Sequence, residues 1–460
     1  MRVSRWAFVA VGVVSGAAAL VAAQQGGGRQ GAPAVPDPVQ MLVDRLDLEK
    51  YKATIKGLTQ FGDRREGTQR NRDAVSWIEA QLKSYGCATE RMTYEPPAPR
   101  GGGAGGGGQR AGGAAGAGAA GAGAAGAGAA GAGAAGAGTT GAGAAGAAAA
   151  GQAAGNRGGG AAQGTPRPPA TVLTEPRRNQ VGTSGTTFYG ILRPTGVNSN
   201  PENQPDEKLR ALNMGPVLAE PFPQVFCTKW GTTRRDEMYI IGGHMDGIGY
   251  GEAANDDASG SAIVMELARV FSQPDVTTDV TIRFALWNGE EGGLRGANAY
   301  VAQRRALQGQ PNEPKWLGMI QHDMMMWDHG MPRADGTLNP EQRPEADFNI
   351  EWQSTAQQAE GAMKLALAVK LAADKYSKNY PGTVGPHMTN TDSGPFMDIV
   401  PAISMRENER GMHTGAGWNP HWHQPTDLFK TFSDKDFLLG LNSAQATLGA
   451  IAGLSGAKIK

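Results

Sequence analysis

Residues 242–260 have the sequence GGHMDGIGYGEAANDDASG, and this stretch decides how the rest of the chain is interpreted. An apolar run before it predicts a buried strand, and helical spacing of apolar residues after it predicts a helix. His244 and Asp246 stand where the strand should end, and Asp256 and Asp257 precede the helix. In open α/β sheets, ligands bind beyond the carboxyl ends of the strands. A histidine and several carboxylates at such a place indicate a metal site.

The overall composition limits the partners of the protein. The 460 residues include 43 Lys+Arg and 43 Asp+Glu, so the formal net charge is zero. This balance provides no electrostatic attraction for nucleic acid or for an anionic membrane surface. We therefore expect neither nucleic acid nor, once an export signal is removed, a stable membrane partner. The sequence does not indicate an oligomeric state.

The N-terminus has the pattern of an export signal. Arg2 and Arg5 precede an apolar run of small residues, and an acceptable cleavage site lies before Gln24. Residues 1–23 are therefore predicted to be a signal peptide, which would place the protein in the periplasm or outside the cell. The alternative is an N-terminal membrane anchor, although the apolar run is short for a span. Residues 24–38 are predicted to be a disordered leader.

A second low-complexity segment interrupts the folded part of the chain. Residues 96–169 consist mainly of Gly and Ala in irregular GAGAA-like repeats, with few charges and almost no large side chains. Such a segment cannot bury enough apolar surface to offset its chain entropy. It is predicted to be a disordered insertion that splits one domain into residues 39–95 and 170–456. The alternative is a silk-like β-stacking segment.

Strand and helix patterns alternate along the remaining sequence. Strands are predicted at residues 87–94, 224–230, 238–243, 280–287, 316–321 and 401–405. Helices are predicted at residues 39–62, 70–85, 258–271, 294–304, 351–376 and 437–454. This alternation predicts an α/β domain with a mixed, mostly parallel central sheet flanked by helices. The two cysteines, Cys87 and Cys227, either form a disulfide or remain as buried thiols.

Metal-capable side chains follow three different predicted strands. They are His244, the pair Glu290-Glu291, and Asp323, while Asp256 and His423 lie in adjoining loops. Each of these residues is weak evidence alone, because a lone histidine is usually a satisfied polar residue. The chain also contains other histidines, namely His322, His329, His387, His413 and His421. The recurrence of ligand types at strand ends nevertheless favours a shared site.

The order of these motifs resembles metallopeptidase family 28, the two-zinc exopeptidases. The motifs are His-x-Asp, Asn-Asp-Asp-Ala-Ser-Gly, Gly-Glu-Glu-x-Gly-Leu-x-Gly, an Asp after a strand, and His-x-x-x-Asp before the last helix. The resemblance covers residues 224–454 well and residues 41–94 loosely. It implies the fold described above and two Zn2+ ions as cofactors.

The resemblance also implies a role for each matching residue. One ion would be bound by His244, Asp256 and Asp323, and the other by Asp256, Glu291 and His423, with Asp256 shared. Glu290 would be the general base that acts on the water between the ions. It should face away from Glu291, because neighbours on an extended chain face opposite sides. Asp246 would hold the second ring nitrogen of His244.

Two positions depart from the family pattern. His322 precedes Asp323 where the family usually has a small or apolar residue. Thr391-Asp392-Ser393 stands where many members have Ser-Asp-His. These departures concern the substrate pocket more than the metal site.

The expected function is an exported zinc exopeptidase that acts on peptide substrates, with an aminopeptidase favoured. Glu407 and Glu409 are candidates for binding a substrate amine, whereas Arg406 and Arg410 would serve a carboxypeptidase of the glutamate carboxypeptidase type. A single-zinc glutaminyl cyclase is a further alternative on a similar fold. A non-catalytic binding module is a third, although such relatives should have lost ligands. The number of metal ions per chain distinguishes these classes.

Overall fold

The computed structural model describes residues 37–96, 185–188, 191–194, 197–330, 339–388, 390–407 and 419–460. The predicted signal peptide, most of the leader, and almost all of the Gly/Ala-rich tract lie outside these residues. Glu409, Arg410 and His413 also lie outside them. These features, and the division of the chain into domains, remain predictions.

A mixed eight-stranded sheet forms the centre of the described structure. The spatial order is β1-β4-β7-β5-β8-β11-β9-β10. These strands are β1 (Ala88–Tyr94), β4 (Phe222–Lys229), β5 (Arg234–His244), β7 (Val280–Trp287), β8 (Lys315–Asp323), β9 (Phe348–Trp352), β10 (Gly382–Gly385) and β11 (Ala402–Glu407). Short two-stranded pairings are formed by β2 (Gly185–Phe188) with β3 (Ile191–Pro194) and by β6 (Val276–Thr277) with β12 (Lys458–Ile459).

Helices flank this sheet. They are α1 (Pro38–Val43), α2 (Leu48–Thr59), α3 (Gln69–Ser84), α4 (Glu207–Asn213), α5 (Ala258–Phe271), α6 (Arg295–Arg304), α7 (Ala359–Tyr376) and α8 (Asp434–Ser455). The α5 helix is almost entirely buried and packs against β5, β7 and β8. The predicted α/β class, with a mostly parallel sheet, is confirmed.

The central strands are parallel and therefore end at one edge of the sheet. β5 pairs in parallel with β7 on one side and with β8 on the other, and β8 pairs in parallel with β11. In this register His244 lies beside Trp287, and Gly243 lies beside His322. The residues that follow these strands consequently emerge next to one another, at the position where α/β sheets bind ligands.

A disulfide fixes the outer edge of the sheet. β1 pairs antiparallel with β4, as expected for an edge strand. Cys87, directly before β1, is bonded to Cys227 on β4, with their Cα atoms 5.6 Å apart and a sequence separation of 140. The sequence left the state of these thiols open, because pairing depends on how the two segments are placed in space.

Two predicted helices differ from the observed elements. The segment 351–376 begins as β9, whose buried Phe348 and Ile350 lie between β10 and β11, and only Ala359–Tyr376 is helical. Here strand pairing outweighs the helical spacing of apolar residues. The segment 39–62 contains two helices, because Asp47 accepts a hydrogen bond from the Lys50 main-chain N–H and begins a new helix.

The last helix, α8, belongs to the core. Among the described residues it alone has the length and apolar composition of a membrane span. Most of it is buried, and it packs against α7, α1 and α5. His322 on β8 contacts this helix, since its Nε2 lies 2.9 Å from the hydroxyl of Thr447. Thr447, a polar residue in this otherwise apolar helix, is thereby used for packing against the sheet.

Candidate metal centre

Four hydrogen bonds shape the C-terminal end of β5, where His244 lies. The carboxylate of Asp257 accepts a hydrogen bond from the main-chain N–H of His244 at 3.0 Å. The same carboxylate caps α5 through the N–H of Gly260 and accepts the N–H of Met324 after β8. Ser261 donates to the carbonyl oxygen of His244 at 2.7 Å. Asp257 therefore ties two strand ends and a helix N-terminus together, a role that the sequence did not reveal.

His244, Asp256 and Asp323 form the first group of metal-capable side chains. The Nε2 atom of His244 lies 3.3 Å from Oδ1 of Asp256 and 3.7 Å from Oδ1 of Asp323. All three side chains are buried. We call this group the first position.

Asp256, Glu291 and His423 form the second group, which we call the second position. The Nε2 atom of His423 lies 3.1 Å from Oδ2 of Asp256 and 2.9 Å from Oε2 of Glu291. Within each group, the ligand atoms all lie within 4.8 Å of one another. Asp256 uses one oxygen toward each group, which is the arrangement required of a bridging carboxylate.

The chemistry of these donors suits zinc. Two imidazole nitrogens and three carboxylates form a nitrogen and oxygen set of the kind that binds Zn2+ in catalytic sites. His244 Nε2 and Glu291 Oε1 are buried and make no hydrogen bond to any described residue. Buried polar atoms without a partner are costly, and a bound cation would satisfy both of them.

The electrostatics of the cluster favour a bound cation as well. Burial alone would lower the pKa of His244, but the carboxylates of Asp257, Asp256 and Asp323 raise it well above the usual value. Burial also lowers the pKa of His423, and Glu291 and Asp256 outweigh this effect and raise it. Burial raises the pKa of Glu291 to about 7. Bound metal ions would take the place of the protons that these imidazoles and carboxylates share.

A comparison with known families agrees with this geometry. The model for Peptidase family M28 matches residues 225–446. This segment of the chain belongs to peptidase family M28. The matched segment extends from β4 into α8 and contains all five residues of the two metal positions.

Individual relatives resemble the chain over shorter segments. Leupeptin-inactivating enzyme 1 from Streptomyces exfoliatus is 31% identical over 96 residues, which are 21% of this chain and 21% of the relative. Aminopeptidase YwaD from Bacillus subtilis is 34% identical over 68 residues, 15% of this chain and 14% of the relative. These alignments thus span about a fifth or less of each relative's length.

Solved structures share the fold of the chain. BSAP, a zinc aminopeptidase from Bacillus subtilis, superposes with a TM-score of 0.50 at 13% identity, covering 89% of this chain and 95% of that chain. LapA from Legionella superposes with a TM-score of 0.50 at 14% identity, covering 91% and 75%. At such low identity these similarities establish the α/β architecture alone.

The turn that carries Glu290 and Glu291 is held by Asp246. The Asp246 carboxylate accepts hydrogen bonds from the main-chain N–H groups of Gly289 at 2.7 Å, Glu290 at 3.2 Å and Glu291 at 3.4 Å. The predicted contact with His244 differs: its Nδ1 lies 3.0 Å from the main-chain carbonyl oxygen of Asp246, while the carboxylate is 3.8 Å away. The carboxylate turns away because three N–H donors at the end of β7 compete for it.

Glu290 lies in the same cluster but in neither metal position. Burial raises its pKa well above the usual value; His244 opposes this rise, whereas Asp323, Glu291 and Asp392 add to it. Strand alternation does not set the direction of the Glu290 side chain, because β7 ends at Trp287. Glu290 begins a turn in which its carbonyl oxygen accepts hydrogen bonds from the N–H groups of Gly293 and Leu294. A carboxylate with a raised pKa beside two metal positions is suited to proton transfer.

A close approach of two loops positions His423. Gly249, with φ of 96°, lies against the His423 main chain, and a Cβ there would be 2.3 Å from the His423 carbonyl oxygen. Only glycine permits this contact. Arg64 supports the same region by donating to the carbonyl oxygens of Met245, Glu252 and Ala253.

The two described candidates for substrate binding are engaged within the protein. The Glu407 carboxylate accepts the side-chain amides of Asn255 and Asn419 and the N–H groups of Met326 and Trp327. It therefore joins three loops around the metal positions and is not placed to receive a substrate amine. Arg406 forms a buried ion pair with Asp323, at 3.0 Å. The tertiary structure gives both residues internal roles that a sequence pattern could not show.

The two departures from the family pattern are both buried. His322 lies between the sheet and α8, with Nδ1 3.3 Å from the carbonyl oxygen of Gly242, and burial lowers its pKa to about 4. Asp392 is completely buried, and among the described residues its Oδ1 makes no hydrogen bond. His329 instead stacks on Trp327 and contacts Asp436. His421 meets Trp327 edge-on and contacts Thr426.

Proposed function

We propose that this protein is an exported zinc exopeptidase with two bound ions, most suitably an aminopeptidase. The observation that carries the proposal is the pair of donor groups that share Asp256. His244, Asp256 and Asp323 would hold one Zn2+, and Asp256, Glu291 and His423 would hold the other. Bound zinc polarises a scissile carbonyl group and lowers the pKa of a neighbouring water.

The residues of the chain supply the remaining chemistry. Glu290 accepts the proton of the attacking water and returns it to the leaving amine when the peptide bond breaks. Burial favours the protonated form of Glu290 and raises its pKa, which suits a group that accepts a proton, and bound cations would favour its ionised form before it does so. Asp246 maintains the distance between Glu290 and the metal positions by fixing three consecutive N–H groups of their turn.

The choice of an aminopeptidase rests on the relatives. YwaD and BSAP both have aminopeptidase in their names. Arg406 and Glu407, the described candidates for recognising either peptide end, are used inside the fold. A carboxypeptidase of the glutamate carboxypeptidase type is the second candidate function, and a glutaminyl cyclase is the third.

One experiment tests this proposal. The purified protein is treated with a chelator and supplied with zinc, and its activity is measured on aminoacyl-nitroanilides and on N-acyl-glutamates. We expect nitroanilide hydrolysis that is lost with the chelator and restored at two zinc ions per chain. Hydrolysis of N-acyl-glutamates alone would identify the carboxypeptidase, and one ion per chain with cyclisation of N-terminal glutamine would identify the cyclase.

Export is the second part of the proposal. The Cys87–Cys227 disulfide supports it, because disulfides persist in oxidising compartments such as the periplasm. N-terminal sequencing of the protein recovered from the culture should give Gln24 as the first residue. An intact Met1 in a membrane fraction would instead establish the anchor.

A further inference from the structure

The two metal positions differ in the charge that surrounds them. β11 pairs in parallel with β8, and this register places Arg406 directly beside Asp323. The Arg406 Nη1 atom donates to Oδ2 of Asp323 at 3.0 Å, and the side chains are only 5% and 4% exposed. The other carboxylate oxygen, Oδ1, is the one that faces His244 at 3.7 Å. Asp323 thus offers one oxygen to a metal ion and the other to a guanidinium group.

Glu291, the corresponding carboxylate of the second position, has different surroundings. Its Oε2 lies 2.9 Å from His423, and its Oε1 makes no hydrogen bond to any described residue. Within the described part of the chain, no Lys or Arg forms an ion pair with Glu291 or with Asp256. Both oxygens of Glu291 are consequently available to a metal ion, whereas only one oxygen of Asp323 is.

We propose that Arg406 makes the two metal positions unequal, so that the second position binds zinc first and more tightly than the first. This inference rests on the two-metal function proposed above. The guanidinium group is charged at every relevant pH. In a buried site a fixed positive charge repels a dication strongly. It also withdraws electron density from Asp323, so this carboxylate would be a weaker donor to an ion in the first position.

The contact with Arg406 also holds the Asp323 carboxylate in one orientation, because the Nη1 atom of Arg406 donates to Oδ2 within a buried pair. Arg406 is a positioning residue, since it acts through a ligand and does not itself coordinate the ion.

The order of zinc binding provides the first test. One equivalent of zinc is added to the metal-free protein, and anomalous diffraction at the zinc edge locates it. We expect the ion between Asp256, Glu291 and His423. Zinc found first between His244, Asp256 and Asp323 would overturn the inference without any variant being made.

Variants of Arg406 provide the second test. Chelator competition should give two zinc dissociation constants for the wild-type protein. Arg406→Met removes the charge and should tighten the weaker constant tenfold or more, while Arg406→Lys keeps the charge and should leave it near the wild-type value. Weaker or unchanged binding in Arg406→Met would overturn the inference, as would tightening in both variants.

A remote variant controls for a general loss of positive charge. Arg91 is 41% exposed and pairs with Glu79 at the outer edge of the sheet. Arg91→Met should leave both constants unchanged, and an effect equal to that of Arg406→Met would also overturn the inference. Failure of the proposed function appears differently, as a wild-type protein that binds fewer than two zinc ions. Cobalt spectra of Arg406→Met, recorded at one and two equivalents, report the same order without any need for activity.

Discussion

The side-chain carboxylate of Asp427 accepts hydrogen bonds from the main-chain N–H groups of Asn255 at 2.8 Å and Asp256 at 3.1 Å. Asp427 belongs to the loop that carries His423, whereas Asp256 belongs to the loop between β5 and α5. This contact therefore joins the loops that contribute to the second position, and it fixes the residue shared by both positions.

Replacing Asp427 with Asn should weaken zinc binding at both positions. An amide has one acceptor oxygen, so either Asn255 or Asp256 loses its partner and the shared ligand becomes less well fixed. Burial raises the pKa of Asp427 to about 7, so the measurement belongs at pH 8, where the carboxylate is ionised. We expect both zinc dissociation constants, measured by chelator competition, to rise about tenfold or more, as is typical when a group that supports ligands is lost.

A matched control removes a carboxylate elsewhere. Asp434 is exposed and pairs with Lys52 at the surface. Asp434→Asn should leave both constants unchanged. If Asp427→Asn also left them unchanged, the contact between the two loops would have no part in metal binding.

Glu290 and Glu291 should respond differently to the same substitution. Glu290→Gln keeps the volume and removes the base, so the rate should fall by about 10²–10⁴-fold while two zinc ions remain bound. Glu291→Gln should instead weaken or empty the second position and lower activity through loss of metal. The measurement is activity per bound zinc for each variant. If Glu290→Gln lost zinc while Glu291→Gln kept it, the roles of the two residues would have to be exchanged. Full activity of Glu290→Gln with both ions bound would refute the mechanism.

His322 should make stability depend on pH in the acidic range. Burial lowers its pKa to about 4 from an ordinary 6.5, so between these values the unfolded chain binds more protons than the folded one. The contribution of neutral, buried His322 to the free energy of unfolding is fully present above pH 6.5 and falls as the pH decreases toward 4. The fall is about 3 kcal/mol, at about 1.4 kcal/mol per pH unit. Urea unfolding of His322→Gln should show a shallower slope than wild type over that window.

The exposed His387 provides the control for this measurement. His387→Gln should retain the wild-type slope, because the substitution lies at the exposed surface and leaves the buried His322 in place. Equal slopes for wild type and His322→Gln would show that burial of His322 does not contribute to acid sensitivity.

Deleting residues 101–160 should leave folding and turnover nearly intact. The segment lies within the loop closed by the Cys87–Cys227 disulfide, whose ends the β1–β4 pairing also holds together. Loop-closure entropy changes slowly with length, so the free energy of unfolding should change by less than about 1 kcal/mol. Loss of soluble protein on deletion would indicate a structural role for the tract.

Removing the disulfide should have a larger effect. Cys87→Ser combined with Cys227→Ser should lower the free energy of unfolding by about 2–5 kcal/mol in the otherwise complete chain, because the unfolded state gains freedom. The rate on nitroanilides should change little, since the disulfide lies at the outer edge of the sheet and not near the metal positions. A large fall in rate at unchanged stability would contradict this assignment.

The sequence by itself determined the fold class and the residues that converge at one edge of the sheet. His244, Glu291 and Asp323 follow strands whose apolar composition marks them as buried and parallel, and parallel strands place their carboxyl ends together. Their approach is therefore a consequence of local pattern and topology. The helix at 258–271 and the strand at 280–287 have the predicted bounds for the same reason.

Only the tertiary structure decided which partner each buried polar group takes. Asp246 turns its carboxylate to the Gly289–Glu291 turn because three N–H groups lie there, and the Glu407 carboxylate joins loops that are distant in sequence. Arg406 meets Asp323 through the register of β8 and β11, and Cys87 meets Cys227 across 140 residues. Hydrogen bonds and ion pairs form over a few ångströms and depend on direction. Their partners are therefore fixed by how distant segments pack, and residue type and spacing along the chain carry no record of that packing.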